Sequence, residues 1–255
     1  MQKELVIMSS LQKMLAILDL FTEEKTKWHI DAIIEVMDFS VPTAYRYIKT
    51  LIDAGLLAKV NSSEYIIGPK IIKLDHQIRI SDPYIVKGES IMQSLQELTG
   101  CQVLLSNIFD TEVINVHAVS PNNWKERITY ARGVPHPLLK GSTSKIIYAY
   151  LPRAKLLKLY NDNLASIKLE NTSESTKDFL ASMSHIKKLG YCISHGELDS
   201  NLTGIAAPIF SDNIIKGSLT LIVPTQRLEV YNLDRLITYV TEAASQISSI
   251  TNDFN

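Results

Sequence analysis

The sequence predicts an α+β chain of two domains, and three observations predict it. Near the N-terminus two amphipathic helical patterns are joined by only about three residues, and a hairpin pattern follows them. Beyond Gly100 the apolar period changes from helical to alternating. The order there is strands, helices, strands and a closing helix, which suits an antiparallel sheet flanked by helices.

Taken in order, Leu11, Met14, Leu15, Leu18 and Phe21 form a helical stripe with Ser9 or Ser10 as cap. Ile17 and Leu20 widen it beyond one face, which leaves room for a second contact, with another subunit for instance. Glu23 to Trp28 reads as a polar connection. Ile30, Ile33, Ile34 and Met37 recur at i, i+3, i+4 and i+7, a short helix ending just before Ser40.

Ser40 to Leu57 is the stretch around which the first domain is organised. Ala44, Ile48, Leu51 and Ile52 share a helical face with Tyr47 beside them, while Pro42, Arg46, Lys49 and Asp53 point away and Tyr45 lies on the flank. Ser40 is placed to cap this helix, Pro42 fits its first turn, and Ala54-Gly55 supplies a left-handed exit. No acidic residue occurs from Phe39 to Ile52, so the cations Arg46 and Lys49 suit a helix that meets phosphates or base edges. A solvated surface face would carry the same residues. Leu56 to Val60, the turn Asn61-Ser62-Ser63 and Glu64 to Gly68 then read as a two-stranded hairpin. Helix, turn, helix, hairpin is the order of a winged helix-turn-helix; a structural helical pair with a surface hairpin shows the same pattern.

Pro69 to Ser81 reads as a linker helix, and Asp82-Pro83 as the cap and first residue of a helix reaching Leu98-Thr99-Gly100. The domains are therefore drawn as 1–68, the linker as 69–82 and the second domain as 83–255. In that second domain Cys101 to Phe109, Glu112 to Val119 and Arg127 to Arg132 are strand-like. Ser142 to Tyr150, Pro152 to Tyr160 and Ser173 to Leu189 are helical. Tyr191 to Ser194, Gly204 to Phe210 and Ile214 to Val223 return to strands, and Leu233 to Ile247 stripe a closing helix.

Composition bounds the function. The net charge is −1, and residues 1–80 carry ten Lys/Arg against ten Asp/Glu, so any attraction to nucleic acid must come from where the cations sit. Cys101 and Cys192 are isolated from each other and from any Cys/His cluster, which favours buried, reduced thiols over a disulfide or a metal site. Met1 to Glu4 lacks the features of a signal peptide, and no window approaches the ~18 apolar residues of a membrane span. The expectation is a soluble cytoplasmic protein with no membrane partner.

Two sites carry possible chemistry in the second domain. Gly141-Ser142-Thr143-Ser144 opens a helix with free amides and small hydroxyls, a niche for an anion such as a small carboxylate, or simply a helix cap. Lys145 could pair with that ligand or with Glu197. His195, Glu197 and Asp199 could form a His–carboxylate set for a metal or a proton, though nothing supplies a third ligand. His117 reads as a satisfied core histidine. His136 and His195 are near the pocket mouth by order only, and Tyr130, Tyr148 and Tyr150 read as packing residues.

The order of these features, with Thr43-Ala-Tyr-Arg46, the spacing to Gly55, Tyr65-x-x-Gly68-Pro69, Arg132-Gly133, Gly141-Ser-Thr-Ser-Lys145, and Gly190-Tyr191 leading to Glu197 and Ile205 to Phe210, resembles the IclR family of bacterial transcriptional regulators from about Ser9 to Pro224. The resemblance implies a winged helix-turn-helix, a linker helix and a GAF-like effector-binding domain, assembled as dimers or dimers of dimers. Carried over by position, the recognition helix holds Thr43, Tyr45, Arg46 and Lys49, with Ser40 at its start and Ser62 in the wing turn. The pocket is lined by Ser142, Thr143, Ser194, Leu202, Gly204, Thr220 and Ile222. Ser194 stands where an acid is common, Asn201 where glycine is usual and Gly204 where cysteine or serine is frequent, so no relative's ligand transfers.

The expected function is thus a regulator that binds a double-stranded DNA operator and senses a small carboxylate or sugar acid, with no cofactor, metal or catalytic residue. Two rivals remain at this point. One is an enzyme using Cys192, His195 and Glu197, and the other is a winged-helix protein-interaction adaptor.

Overall fold

The computed structural model describes residues 8–164 and 175–250. The leader reading at Met1 to Glu4 and the expected helix start at Ser173 lie outside the described residues. The chain divides into two compact units, Met1–Ser81 and Asp82–Asn255. No described helix is long and apolar enough to cross a membrane.

In the first unit α1 (Ser10–Leu15) starts from a capping box, with Ser9 Oγ accepting from the Gln12 amide and Gln12 Oε1 from the Ser9 amide. The helix stops there and a 3₁₀ turn, Leu18–Leu20, follows, which splits the expected continuous stripe. Ile17 and Leu20 become the buried pair, while Leu11 and Leu15 stay exposed. The expected polar connection is corrected at its end. Trp28–His29 is a short strand, β1, held by its ladder and by Trp28 Nε1 donating 2.7 Å to the Leu20 carbonyl. α2 (Ile30–Met37) ends at Asp38 in the left-handed conformation, φ 52°. After Asp38, Phe39 and Ser40 comes α3 (Val41–Asp53).

β2 (Leu57–Lys59) and β3 (Glu64–Ile67) pair antiparallel through Leu57↔Ile67, and β1 adds to the far edge of β3 through Trp28↔Tyr65. The wing is therefore a three-stranded sheet ordered β1-β3-β2. Ile17, Ile33, Ile48, Leu51 and Leu57 are almost fully buried together, each such side chain contributing roughly 1.5–3 kcal/mol. α4 (Lys70–Ser81) closes the unit and has no buried residue.

The second unit opens with α5 (Pro83–Thr99), capped by Asp82 accepting 2.9 Å from the Tyr84 amide. β4 (Gln102–Phe109) and β5 (Glu112–Val119) form a hairpin, followed later by α6 (Gly141–Ala149), α7 (Arg153–Asp162) and α8 (Thr176–Leu189). β6 (Cys192–His195), β7 (Leu202–Ser211), β8 (Ile214–Pro224) and α9 (Leu233–Ser249) complete it. The sheet is antiparallel with order β5-β4-β8-β7-β6.

Its strands are covered on both faces, and their period of two assigns residues to one or the other. Ile205, Leu219, Leu221 and Val223 pack with Met92 of α5 and Val240 and Ile247 of α9. Ala206 and Ile215 pack in a separate core with Ile146 and Ile147 of α6, Leu156 of α7 and Phe179 of α8. The second face is not filled throughout. Where it carries Ser194, Gly204 and Ile222, it leaves a pocket.

Arg127 to Arg132, expected as a strand, is irregular. Its polar groups are taken elsewhere: Asp199 accepts from both the amide and the hydroxyl of Thr129, the Tyr130 carbonyl accepts 2.6 Å from Asn115 Nδ2, and Arg132 Nε donates to the Val116 carbonyl. An isolated bridge, Ile114↔Pro135, joins the following residues to β5, with the Gly133 amide donating 3.0 Å to the Asn115 carbonyl and the His136 amide 2.8 Å to that of Val113.

Candidate functional site

The first candidate surface is the outer face of α3. Ala44, Tyr47, Ile48 and Leu51 are buried beneath it, and Ser40, Tyr45, Arg46 and Lys49 are exposed, with Thr43 half-buried. Ser40 takes the N-cap position, but its hydroxyl does not receive a backbone amide as expected; it donates 2.9 Å to Thr43 Oγ1. Arg46 lies 5.4 Å from the Tyr47 ring centroid, which orients its guanidinium against the helix. Among the described residues neither Arg46 nor Lys49 forms an ion pair with an acid. At the wing turn Asn61 Oδ1 accepts from the Ser63 and Glu64 amides, an Asx turn that leaves Ser62 exposed at its tip.

The second is the pocket beside α6. Six of the seven residues expected there line it: Ser142, Thr143, Ser194, Leu202, Gly204 and Ile222. Thr220 does not. It stands behind the wall, its hydroxyl 3.0 Å from Thr143 Oγ1, and so fixes the Thr143 rotamer. The pocket encloses about 430 Å³ with its mouth included. A compact ligand is the only kind that fits without movement.

At the start of α6 Gly141 takes φ +75°, a conformation that side chains disfavour, and a Cβ on it would come within 2.7 Å of Leu198 Cδ1. Two of the free amides expected at this helix start are occupied. Glu197 Oε2 accepts from the Gly141 amide at 3.0 Å and Ser194 Oγ from the Ser142 amide at 2.9 Å. Lys145 pairs with Glu197, at 2.6 and 2.7 Å from its two oxygens, so a resident carboxylate already satisfies the helix dipole. What remains for a ligand is the side-chain hydroxyls. Gly204 matters by lacking a side chain, since its Cβ would lie 2.5 Å from Ser142 Oγ.

Several lining residues were not read from the sequence as a site. Leu104, Ile128 and Leu198 add apolar wall, and Tyr130, taken as packing, faces the pocket with Asp199 and Glu197. His136 is the largest departure. It is 8% exposed, stacks on Tyr130 with centroids 5.2 Å apart, and neither ring nitrogen has a partner. Burial pushes its pKa down to about 4. Chain order placed it near the pocket mouth, between two prolines just ahead of the helix start, and gave it no role.

The His195–Glu197–Asp199 set does not assemble. His195 Nδ1 is 3.1 Å from Thr203 Oγ1, Glu197 holds Lys145, and Asp199 holds Thr129. Among the described residues no group of three His, Cys, Asp or Glu could hold a metal ion. Cys192 is buried and free, and burial pushes its thiol up to about 11, the wrong direction for a nucleophile. His117 pairs with Glu89.

Two family models match the chain. One describes the IclR helix-turn-helix domain and covers residues 10–60; the other, the bacterial transcriptional regulator IclR C-terminal region, covers residues 84–249. The chain is similar to the HTH-type transcriptional regulator XynR of Escherichia coli, 23% identical over 226 residues, 88% of this chain and 89% of that protein. An IclR family transcriptional regulator from Brucella abortus shares the fold with a TM-score of 0.77 at 19% identity, covering 95% of this chain and 92% of that one. An IclR homologue from Microbacterium hydrocarbonoxydans, solved with 4-hydroxybenzoate, gives 0.74 at 17% identity over 96% and 100%.

Proposed function

The chain belongs to the IclR family of bacterial transcriptional regulators, and on that premise we propose that α3 reads a double-stranded DNA operator while the pocket beside α6 receives the effector. A helix-turn-helix DNA-binding domain and an effector domain are what the family supplies, and its named members are regulators rather than enzymes. The observation that carries the DNA assignment is the pair Arg46 and Lys49, exposed on a face that carries no acid before Asp53 at the helix end and whose opposite side is core. In this motif the start of the second helix enters the major groove, and Thr43, Tyr45, Arg46 and Lys49 are the side chains that reach it. Ser40 and Ser62 offer hydroxyls to the flanking backbone. Two recognition helices are needed for two half-sites about one helical turn apart, so the working unit is a homodimer or a dimer of dimers acting in the cytoplasm.

For the effector we propose a small carboxylate or sugar acid. Its oxygens accept from the hydroxyls of Ser142, Thr143 and Ser194, which line the pocket, while Lys145, outside the lining, is held by the lining residue Glu197 and is within reach once that pair loosens. Its apolar body rests on Leu202, Ile222 and Leu104, above Gly204. The 4-hydroxybenzoate held by the Microbacterium homologue supports a compact organic acid.

The test is fluorescence anisotropy of the purified chain on duplex DNA from immediately upstream of its own gene, against a scrambled duplex at the same salt. Selective binding that small acids strengthen or weaken is the expected result. Absence of any salt-dependent DNA binding would favour an interaction adaptor instead.

A further inference from the structure

His136 is a polar residue buried without the partners that burial normally demands. Its backbone is fixed, with the amide donating 2.8 Å to the Val113 carbonyl. The adjacent Pro137 carbonyl accepts 3.4 Å from Ser144 Oγ on α6. The ring is fixed too, stacked at 24° on Tyr130. Yet Nδ1 and Nε2 both lack a hydrogen bond, and the residue lines the pocket. An unpaired buried polar group costs about 1–3 kcal/mol, and a packing role would be filled as well by phenylalanine.

We propose that His136 is a specificity-determining residue of the effector pocket, and that it hydrogen-bonds a hydroxyl on the ligand, so that the pocket selects hydroxylated small acids over the same acids lacking that hydroxyl. This inference rests on the reading of the pocket as a site for small acids. With its pKa lowered to about 4, the imidazole is neutral near pH 7 and presents one donor and one acceptor. A neutral ring gives a carboxylate no charge to pair with. A hydroxyl both donates and accepts, so it completes either tautomer of His136. The ligand's acid group is thereby directed to the serine and threonine hydroxyls.

The experiment is isothermal titration of the full chain with two matched pairs, 4-hydroxybenzoate against benzoate and glycolate against acetate, for wild type, His136→Phe and His136→Gln. Wild type is expected to bind the hydroxylated member of a pair at least about tenfold more tightly. The Phe variant, which keeps the ring on Tyr130, brings the pair to parity, and the Gln variant, which keeps a donor and an acceptor, restores part of the preference. In parallel, the imidazole ¹⁵N resonances of His136 in wild type shift with the hydroxylated acid and stay in place with its partner, a readout that needs no variant to fold. Binding of the acids without preference, or a preference that survives in the Phe variant, overturns the role of His136 and leaves the acid pocket standing. Failure of all four acids to bind overturns both.

Discussion

Arg46 keeps its charge available because it lies against the Tyr47 ring and, among the described residues, forms no ion pair with an acid. Replacing it with alanine is expected to weaken operator binding by about 1–3 kcal/mol and to lower the salt dependence by about one counterion, measured by anisotropy across a salt series. His136 gives a second outcome, in stability. Its pKa is about 4 in the fold and near 6.5 when unfolded, so between those values the unfolded chain binds the extra proton. Stability from this residue is complete above about pH 6.5 and is lost as pH falls toward 4, on the order of 3 kcal/mol in all. Urea unfolding from pH 7 to 4 should show that much less acid sensitivity in His136→Phe than in wild type. Of these two residues the sequence revealed one. The helical period alone put Arg46 opposite Ile48 and Leu51, whereas chain order brought His136 only to the pocket mouth, and its stacking on Tyr130 comes from the tertiary fold, which no local period encodes.

At the scale of elements, the recognition helix and the wing are locked where the backbones of Gly55 and Gly68 meet. The Gly68 amide donates 2.8 Å to the Leu56 carbonyl and the Lys70 amide donates 3.1 Å to that of Gly55. A Cβ on Gly68 would lie 2.2 Å from the Gly55 carbonyl oxygen, a backbone atom that cannot rotate away. Gly68→Ala is therefore expected to destabilise the first unit by at least about 1–3 kcal/mol, seen as a lowered Tm, and to loosen DNA binding with it. Elements of this kind were legible wherever the pattern was long: α2, α3, the wing hairpin and all five strands of the large sheet follow from apolar period and turn residues. Two were not. β1 is only two residues, Trp28 and His29, too short for alternation to register. The stretch from Arg127 to Arg132 alternates like a strand, but Asp199, Asn115 and the Val116 carbonyl capture its polar groups before a ladder can form. The pocket was legible in the same partial way. The residues on β6, β7 and β8 face it by their period of two, while the Gly141 and Ser142 amides at the α6 start are claimed by Glu197 and Ser194, partners 56 and 52 positions away.

At the scale of the whole molecule, the regulator reading makes a quantitative demand that does not depend on how the two units are disposed. If an acid in the pocket changes operator affinity by some factor, the operator must change the affinity for the acid by the same factor, because both paths close one thermodynamic cycle. Couplings of this type are typically about 1–3 kcal/mol, or roughly 5–150-fold. Titrating the acid into free protein and into protein saturated with operator duplex, and titrating operator with and without the acid, should give equal ratios. The coupling must also have a source in this chain. On the proposed reading a ligand acts through Ser142, Thr143 and the Glu197–Lys145 pair at the start of α6, so a compound that occupies the pocket without engaging them has no differential affinity to offer. Such a compound should raise the Tm of the second unit by mass action while leaving operator affinity unchanged, whereas an acid that reaches Lys145 should do both. Equal effects of the two classes on operator binding would place the switch somewhere other than the α6 start.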